Sequence, residues 1–507
     1  MFIFAVKLIV FYFHHNYSIL NAGIMSKEIL ALKPENVWKY FYEITQVPRP
    51  SKKEDKISAW LENFAKEHAL ECLKDSTGNI LIRKQAAPGY ESKPWIALQS
   101  HMDMVCEKHS HVVKDFYNDP IDVIIDGDWV KADGTTLGAD DGIGMAVQLA
   151  LLSDKSIQHG PIECLFTVDE ETGLTGAFGL EAGFLKSNTL LNLDSEDDGE
   201  FFIGCAGGKD TIGRLNLEMN PVPNGQKFYK ISVSGLKGGH SGDDIEKGLG
   251  NANKVLCRLL WEMQDIAELR IVHIDGGNLR NAIPREAFAE VCVPVGKSTV
   301  LLNHVKEYDS IIKKEFFVTD TNVKVSIEES TSAISVFAMP LQKDLLNLIY
   351  SLPHGVMAWA QDIKGFVETS TNLASIKIVG DKVVITTSQR SSVETAKTNI
   401  CNHVASVFQL ADADYEHTDG YPGWTPNPKS EILQIAKQCW QKLYGEEPVV
   451  RAIHAGLECG LFSEKYPEMD MISFGPTLRG VHSPDERLLI STVQKFWDFT
   501  LAVLKRV

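Results

Sequence analysis

Apolar positions along this chain recur with two different periods, and the switches between them outline its architecture. From Val37, the residues Trp38, Phe41, Tyr42 and Ile44 fall at helical spacing and stop before VPRPS, whose prolines end a helix. Ile57 to His68 predicts a second helix. GNILIRK and PWIALQSH predict strands. DGIGMAVQLALLSD predicts a helix buried nearly all round, with Ile143, Val147 and Leu151 on one face and Met145, Leu149 and Leu152 beside it. PIECLFTVDEE predicts a strand, the glycine-rich ETGLTGAFGL follows, and TLLNLDSE predicts another strand. Strands alternating with helices imply an α/β fold, a mixed sheet flanked by helices.

The pattern changes at GCAGGKD (204–210). Beyond it come longer alternating stretches, FYKISVSGLKGGHSG and KVVITTSQR, mixed with helices such as NANKVLCRLLWEMQDIAEL. After GYPGWTPNP, the helix SEILQIAKQCWQKLYG, the strand MDMISFG and the helix TVQKFWDFTLAVLKRV resume the α/β character. The expected organisation is a catalytic domain in two parts, 25–207 and 419–507, interrupted by an inserted α+β domain at 208–418. Residues 1–24 form an N-terminal extension.

Length and charge narrow the class. A chain of 507 residues exceeds one ordinary core. A formal net charge of −17 repels phosphate backbones, so no nucleic-acid partner is expected. The nine cysteines are scattered and form no CxxC, which argues against a disulfide framework and for a reducing, cytoplasmic setting. Phe2 to Phe13 is apolar except for Lys7, yet it is too short to span a bilayer, which takes about 20 residues. No basic start precedes the run and no A-x-A site follows it. Residues 1–24 are therefore read as an upstream extension, with export or membrane association as the alternative, and no membrane partner is expected.

Candidate chemistry gathers at strand ends and helix starts, where α/β sheets place their sites. Five residues there could hold metal: His101, Asp140, Glu171, Asp194 and His482. Carboxylates mixed with imidazoles suit zinc, and two zinc ions sharing an aspartate would hold a water whose proton a spare carboxylate, Glu170, could take. Asp103, two residues after His101 at a strand end, shares its face and could orient its ring. Asp140 and Asp141 precede a helix, where Asp141 could cap. Glu170 and Glu171 are neighbours, and on extended backbone they would point to opposite sides, one to metal and one to water. His482 lies beyond the middle domain, so the chain must return to the first domain for it to join the others. Each residue also has an ordinary reading as a cap, an acidic strand terminus or a loop histidine.

The motifs LQSHMDMV, TTLGADDGIGMA, DEETGLTGAFGL, LNLDSEDDGE, GCAGGKD, GLKGGHSG, LRNAIPREAFA, HAGLECGLF and GPTLRGVHSPDE, in this order, resemble the aminoacyl-histidine (Xaa-His) dipeptidases. These are the peptidase D or carnosinase-type enzymes of the di-zinc exopeptidase group related to carboxypeptidase G. The resemblance runs from Met25 to the C-terminus. It implies that His101, Asp140 and Asp194 hold one zinc, and Asp140, Glu171 and His482 the other, with Mn²⁺ or Co²⁺ as possible substitutes. It makes Glu170 the general base and Asp103 the supporting catalytic aspartate. It also implies that the inserted domain is a lid and homodimerisation domain, in which His240 helps polarise the scissile carbonyl and Asn281 and Arg390 receive the substrate's carboxylate. Glu458, with His454 nearby, is the candidate for the substrate's free amine.

The expected activity is hydrolysis of Xaa-His and other unblocked dipeptides by a metal-activated water. A tripeptide aminopeptidase and an N-acyl amino acid deacylase are the rivals on the same scaffold. A non-catalytic metal-binding protein is disfavoured by the presence of both Glu170 and Asp103. A membrane-tethered binding module rests on residues 1–24 alone.

Overall fold

Four parallel strands form the centre of the first of two compact units: Ile162–Thr167, Ile96–His101, Thr189–Asn192 and Asp470–Ser473, in that spatial order. The computed structural model describes residues 27–507, and expectations about residues 1–24 lie outside them. Antiparallel Ile80–Lys84 and Glu71–Lys74 extend one side, and Glu200–Cys205 and Val449–Ile453 complete an eight-stranded mixed sheet. The central strands read as continuous apolar runs because both faces are covered. Ile96–His101 and Ile162–Thr167 are buried at every position.

Pairing of His101 with Thr167, and of Asn192 with both Gln99 and Ser473, brings the carboxyl ends of these strands into line. The helix Ala139–Ser153 is buried around nearly its whole circumference, so its alternating small and large apolar residues pack on every side. Helices Glu35–Thr45, Asp55–Glu67, Glu431–Tyr444 and Ile490–Arg506 are amphipathic and bury one stripe each. The last two meet over an aromatic cluster in which Phe499 stacks on Phe201 at 4.9 Å and meets Trp440 edge-on at 5.3 Å. A four-stranded antiparallel sheet, Leu478–Arg479, Arg487–Leu489, Trp129–Ala132 and Val123–Asp126, frames the turn that holds His482.

The second unit comprises Gly204–Pro426 and Ala452–Gly460, so it includes the short HAGLECG segment as well as the middle of the chain. Its main sheet is antiparallel and nine-stranded. Lys324–Glu329, Gln226–Ser234, Ala287–Pro294, Arg270–Gly276, Val367–Val379, Lys382–Ser391, Gly207–Asn216 and Asp414–His417 lie in that order, and Gly355–Trp359 pairs with Val367–Val379. Helices Ala252–Ile266, Ser298–Glu315, Met339–Ser351 and Glu394–Leu410 supply the apolar side chains of its core, among them Leu256, Leu260, Tyr308, Leu345 and Phe408. Fully burying each such aliphatic or aromatic side chain contributes about 1.5–3 kcal/mol.

Candidate metal centre

Seven of the residues singled out in the sequence meet at the carboxyl end of the first unit's parallel strands. His101 is the last residue of its strand, and Asp194 lies two residues past Thr189–Asn192. Asp140 comes from the start of the buried helix, and His482 from the turn after Leu478–Arg479, with a left-handed φ of 61°. His101 Nε2 is 3.0 Å from Asp140 Oδ1 and 3.8 Å from Asp194 Oδ1. His482 Nε2 is 3.2 Å from Asp140 Oδ2 and 2.9 Å from Glu171 Oε2. Asp140 thus offers one oxygen to each side.

Glu170 and Glu171 depart from the extended arrangement expected for them. Strand Ile162–Thr167 ends before them, and they open a helical turn, Glu170–Gly173, after Asp169 in left-handed backbone at φ 50°. The turn is held at its start by Asp103, whose carboxylate accepts the Glu170 N–H at 3.0 Å and the Glu171 N–H at 3.3 Å. Hydroxyls of Thr172 and Thr175 close on Asp169 and complete it. Glu171 still turns inward, its side chain 3% exposed, and Glu170 offers an oxygen within 4.8 Å of donor atoms of His101 and Glu171.

Asp103 is fully buried and lies 3.3 Å from His101 Nδ1, while Ser51 donates to it at 2.7 Å. Its burial opposes ionisation, but His101, Ser51 and the Glu170 N–H together hold its pKa below the ordinary value. Asp141 accepts the Gly144 N–H at 3.0 Å, the capping geometry, and belongs to none of the close donor groups.

The donor set fits a cation. His101, Asp140 and Asp194 present donor atoms within 4.8 Å of one another, and so do Asp140, Glu171 and His482. Zinc–ligand bonds of about 2.0–2.1 Å in tetrahedral array set donors about 3.4 Å apart, close to the separations found here. The acidic surroundings also act on the two imidazoles. The His482 pKa is pushed up to about 11 by hydrogen bonds to Asp140 and Glu171, although its side chain is 53% exposed. Burial would lower the His101 pKa, but Asp103 and Asp140 raise it well above the usual imidazole value. Desolvation of half-buried Asp140 opposes its ionisation, yet the two imidazoles drive its pKa far down. Glu171 Oε1 is buried without a hydrogen-bond partner among the described residues, a cost that a bound cation removes.

The second unit gathers another polar cluster. His240 ends the short strand Gly239–His240, which pairs with Ala282–Ile283, and exposed Asn281 accepts the Ser241 N–H at its carbonyl at 2.8 Å. His240 and Asn281 line a cleft of about 820 Å³, together with Lys237 and Arg285. Buried Arg390 donates to the Tyr421 hydroxyl at 2.9 Å and approaches His240 Nε2 at 3.5 Å. Its Nε has no partner among the described residues. His454 is buried with Nε2 2.7 Å from Ser370 Oγ, and Ser370 sits opposite Arg390 in the sheet. Burial, reinforced by the Arg390 charge, pushes its pKa down to about 3. Glu458 is 1% exposed and starts the helix Glu458–Lys465.

Three residues at these clusters escaped the sequence reading. Tyr421 lay in GYPGW, which reads as a linker. Arg49 lay in VPRPS, which reads as a helix stop, and Glu486 lay in SPDE beside His482, where an acid in a turn looks solvated. Arg49, a charged residue between two prolines, carried a weak signal, whereas Glu486, between Asp485 and Arg487, and Tyr421 carried none that stands out without contacts.

Comparison with known proteins finds relatives for the chain as a whole. A profile of Peptidase family M20/M25/M40 matches residues 97–506. The chain is 42% identical over 480 residues to the cytosol non-specific dipeptidase of Escherichia coli (strain K12), covering 95% of this chain and 99% of that protein. The crystal structure of aminoacylhistidine dipeptidase from Vibrio alginolyticus superposes with a TM-score of 0.89 at 44% identity, covering 94% of this chain and 98% of that one. An aminopeptidase from Bacillus cereus shares the fold at a TM-score of 0.55 and 17% identity, over 94% of this chain and 98% of its own.

Proposed function

The chain belongs to Peptidase family M20/M25/M40, and from that premise we propose that it is a metal-dependent dipeptidase acting on Xaa-His and other unblocked dipeptides. One observation carries the reading: two three-donor groups share Asp140, and the carboxylate of Glu170 lies beside them. His101, Asp140 and Asp194 would hold one ion, and Asp140, Glu171 and His482 the other. Zn²⁺ suits these donors best, and Mn²⁺ or Co²⁺ can replace it. When bound, such ions lower the pKa of a water to about 7 and polarise a carbonyl oxygen.

The chain's own groups do the rest. Glu170 takes the proton of the attacking water and returns it to the nitrogen of the leaving amine. Asp103 fixes the His101 ring and, through two N–H groups, the turn that aims Glu170. Arg390 and Asn281 receive the substrate's carboxylate, His240 polarises the carbonyl, and Glu458 with His454 meets the free amine. A carboxylate clamp of this kind limits the substrate to short peptides.

The second unit serves as the lid and as the homodimer interface in this reading. The compartment is cytoplasmic, in keeping with nine cysteines that form no disulfide among the described residues. No helix among the described residues is long and apolar enough to cross a membrane. The test is a substrate panel with the purified protein: carnosine, other dipeptides, tripeptides and N-acyl amino acids, each with Zn²⁺, Mn²⁺, Co²⁺ or a chelator. Dipeptide hydrolysis that the chelator removes is expected. Preference for tripeptides or acylated amino acids, or turnover indifferent to chelator, would overturn the proposal.

A further inference from the structure

The turn that delivers Asp140 is gripped from both sides by a buried pair of opposite charges. Glu486, 2% exposed, accepts the N–H groups of Leu137 at 2.7 Å and Gly138 at 3.0 Å with one oxygen. Its other oxygen accepts those of Ala139 at 2.7 Å and Asp140 at 3.4 Å. Arg49, 1% exposed, donates to the carbonyls of Met102 at 3.1 Å and Asp103 at 2.5 Å, and to that of Gly138.

The local sequence is shaped around this grip. A Cβ at Gly138, whose φ is +70°, would come within 2.7 Å of Arg49 Nη2, and one at Gly142 within 2.6 Å. Neither position can carry a side chain unless Arg49 withdraws. The three segments joined this way are those bearing His101, Asp140 and His482: Arg49 holds the exit of the His101 strand, and Glu486 lies in the turn of His482. Four N–H groups converging on one carboxylate form an anion-holding nest, here filled by the chain's own glutamate. Its charge also adds to the negative field at Asp140.

We propose that Glu486 and Arg49 are positioning residues that hold Asp140, the ligand common to both donor groups, at cation-binding spacing and thereby set the metal affinity of the centre. This rests on the metal-dependent reading above. A Gln at 486 keeps the shape but offers one acceptor and turns an NH₂ toward backbone donors. Lysine at 49 keeps the charge but loses the fork that reaches three carbonyls.

The experiment compares wild type, Glu486→Gln and Arg49→Lys by competition of Zn²⁺ against a fluorescent chelator, alongside melting of the chelator-stripped proteins. Loss of an outer partner of a ligand costs about 10–100-fold in metal affinity, and a loss of that size is expected in both variants. Excess Zn²⁺ should restore part of the kcat of Glu486→Gln. A variant that melts earlier when stripped but binds Zn²⁺ as tightly as wild type has a merely structural residue there, which overturns the inference. Should Glu486→Gln fail to fold, Glu486→Asp, which keeps the charge and shortens the reach, decides the matter by the same affinity measurement. Wild type that binds no Zn²⁺ would instead overturn the metal-dependent reading itself.

Discussion

The polar clusters of the two units have opposite electrostatic character. In the first unit, Asp103, Asp140, Glu171 and Asp194 surround two imidazoles and raise the pKa of both. In the second, Arg390 stands among His240, His454 and Tyr421, and the buried His454 is driven down to about 3. One cluster is short of positive charge, and the other holds an arginine with a donor to spare. Under the proposed function the first would receive a metal cation and the second the carboxylate of a peptide.

Removing a ligand from the cation side is the most drastic way to break that contrast. His482→Ala deletes the imidazole that joins Asp140 to Glu171 and leaves two carboxylates facing each other. It should lose one metal equivalent by elemental analysis and nearly all turnover. Two retained equivalents would show that His482 is not a ligand. Glu170→Ala tests the base separately, because Asp103 meets that residue through its backbone N–H, which the substitution keeps. Turnover should fall by about 10²–10⁴-fold with metal content unchanged, and retained turnover would remove the assignment.

Much of this was readable before any contact was known, for identifiable reasons. The candidate ligands at strand ends follow apolar runs, as in IALQSH and LLNLD, because buried parallel strands must be continuously apolar. Asp140 and Asp141 were assigned different roles from sequence, although a cap and a ligand look alike there, and the Gly144 N–H bond to Asp141 fits the capping role. The Glu170–Glu171 pair was read on extended backbone, yet its conformation depends on Asp103, 67 and 68 residues away in sequence. Glu486 and Arg49 were missed for the same reason. Their partners are backbone groups up to 349 residues distant, and a backbone N–H leaves no mark in the side-chain pattern.

On the anion side a smaller and differently distributed effect is expected. Arg390→Met keeps the length and the burial but removes the fork shared with Tyr421 and His240. A hydrogen bond to a charged group contributes about 1.5–3 kcal/mol, so KM for dipeptides should rise by roughly 10–150-fold while kcat changes little. A dipeptide amide, which lacks the carboxylate, should be hydrolysed equally by wild type and variant. A variant that instead loses kcat with KM unchanged would move Arg390 from binding the substrate's end to the chemistry.

Acid should separate the clusters by sign in the chelator-stripped protein. His482 has a folded pKa above its unfolded value of about 6.5, so its pairing with Asp140 and Glu171 is fully present below that value and lost only as pH rises toward 11. Buried His454, and half-buried His354 beside Leu373 of the same strand, have folded pKa values of about 3 and about 4, so below about 6.5 the unfolded chain binds protons that the folded one does not. Stability from these two is intact at pH 7 and falls as acid is added, by about 2 kcal/mol each at pH 5. Hydrogen exchange measured at pH 7 and pH 5, corrected for intrinsic rates, should therefore show opening of the strand Val367–Val379 beside both imidazoles. The strand Ile96–His101 should be spared. Equal loosening of both strands would mean that His482 on one side and His454 and His354 on the other do not titrate in opposite directions, and the electrostatic contrast would fail.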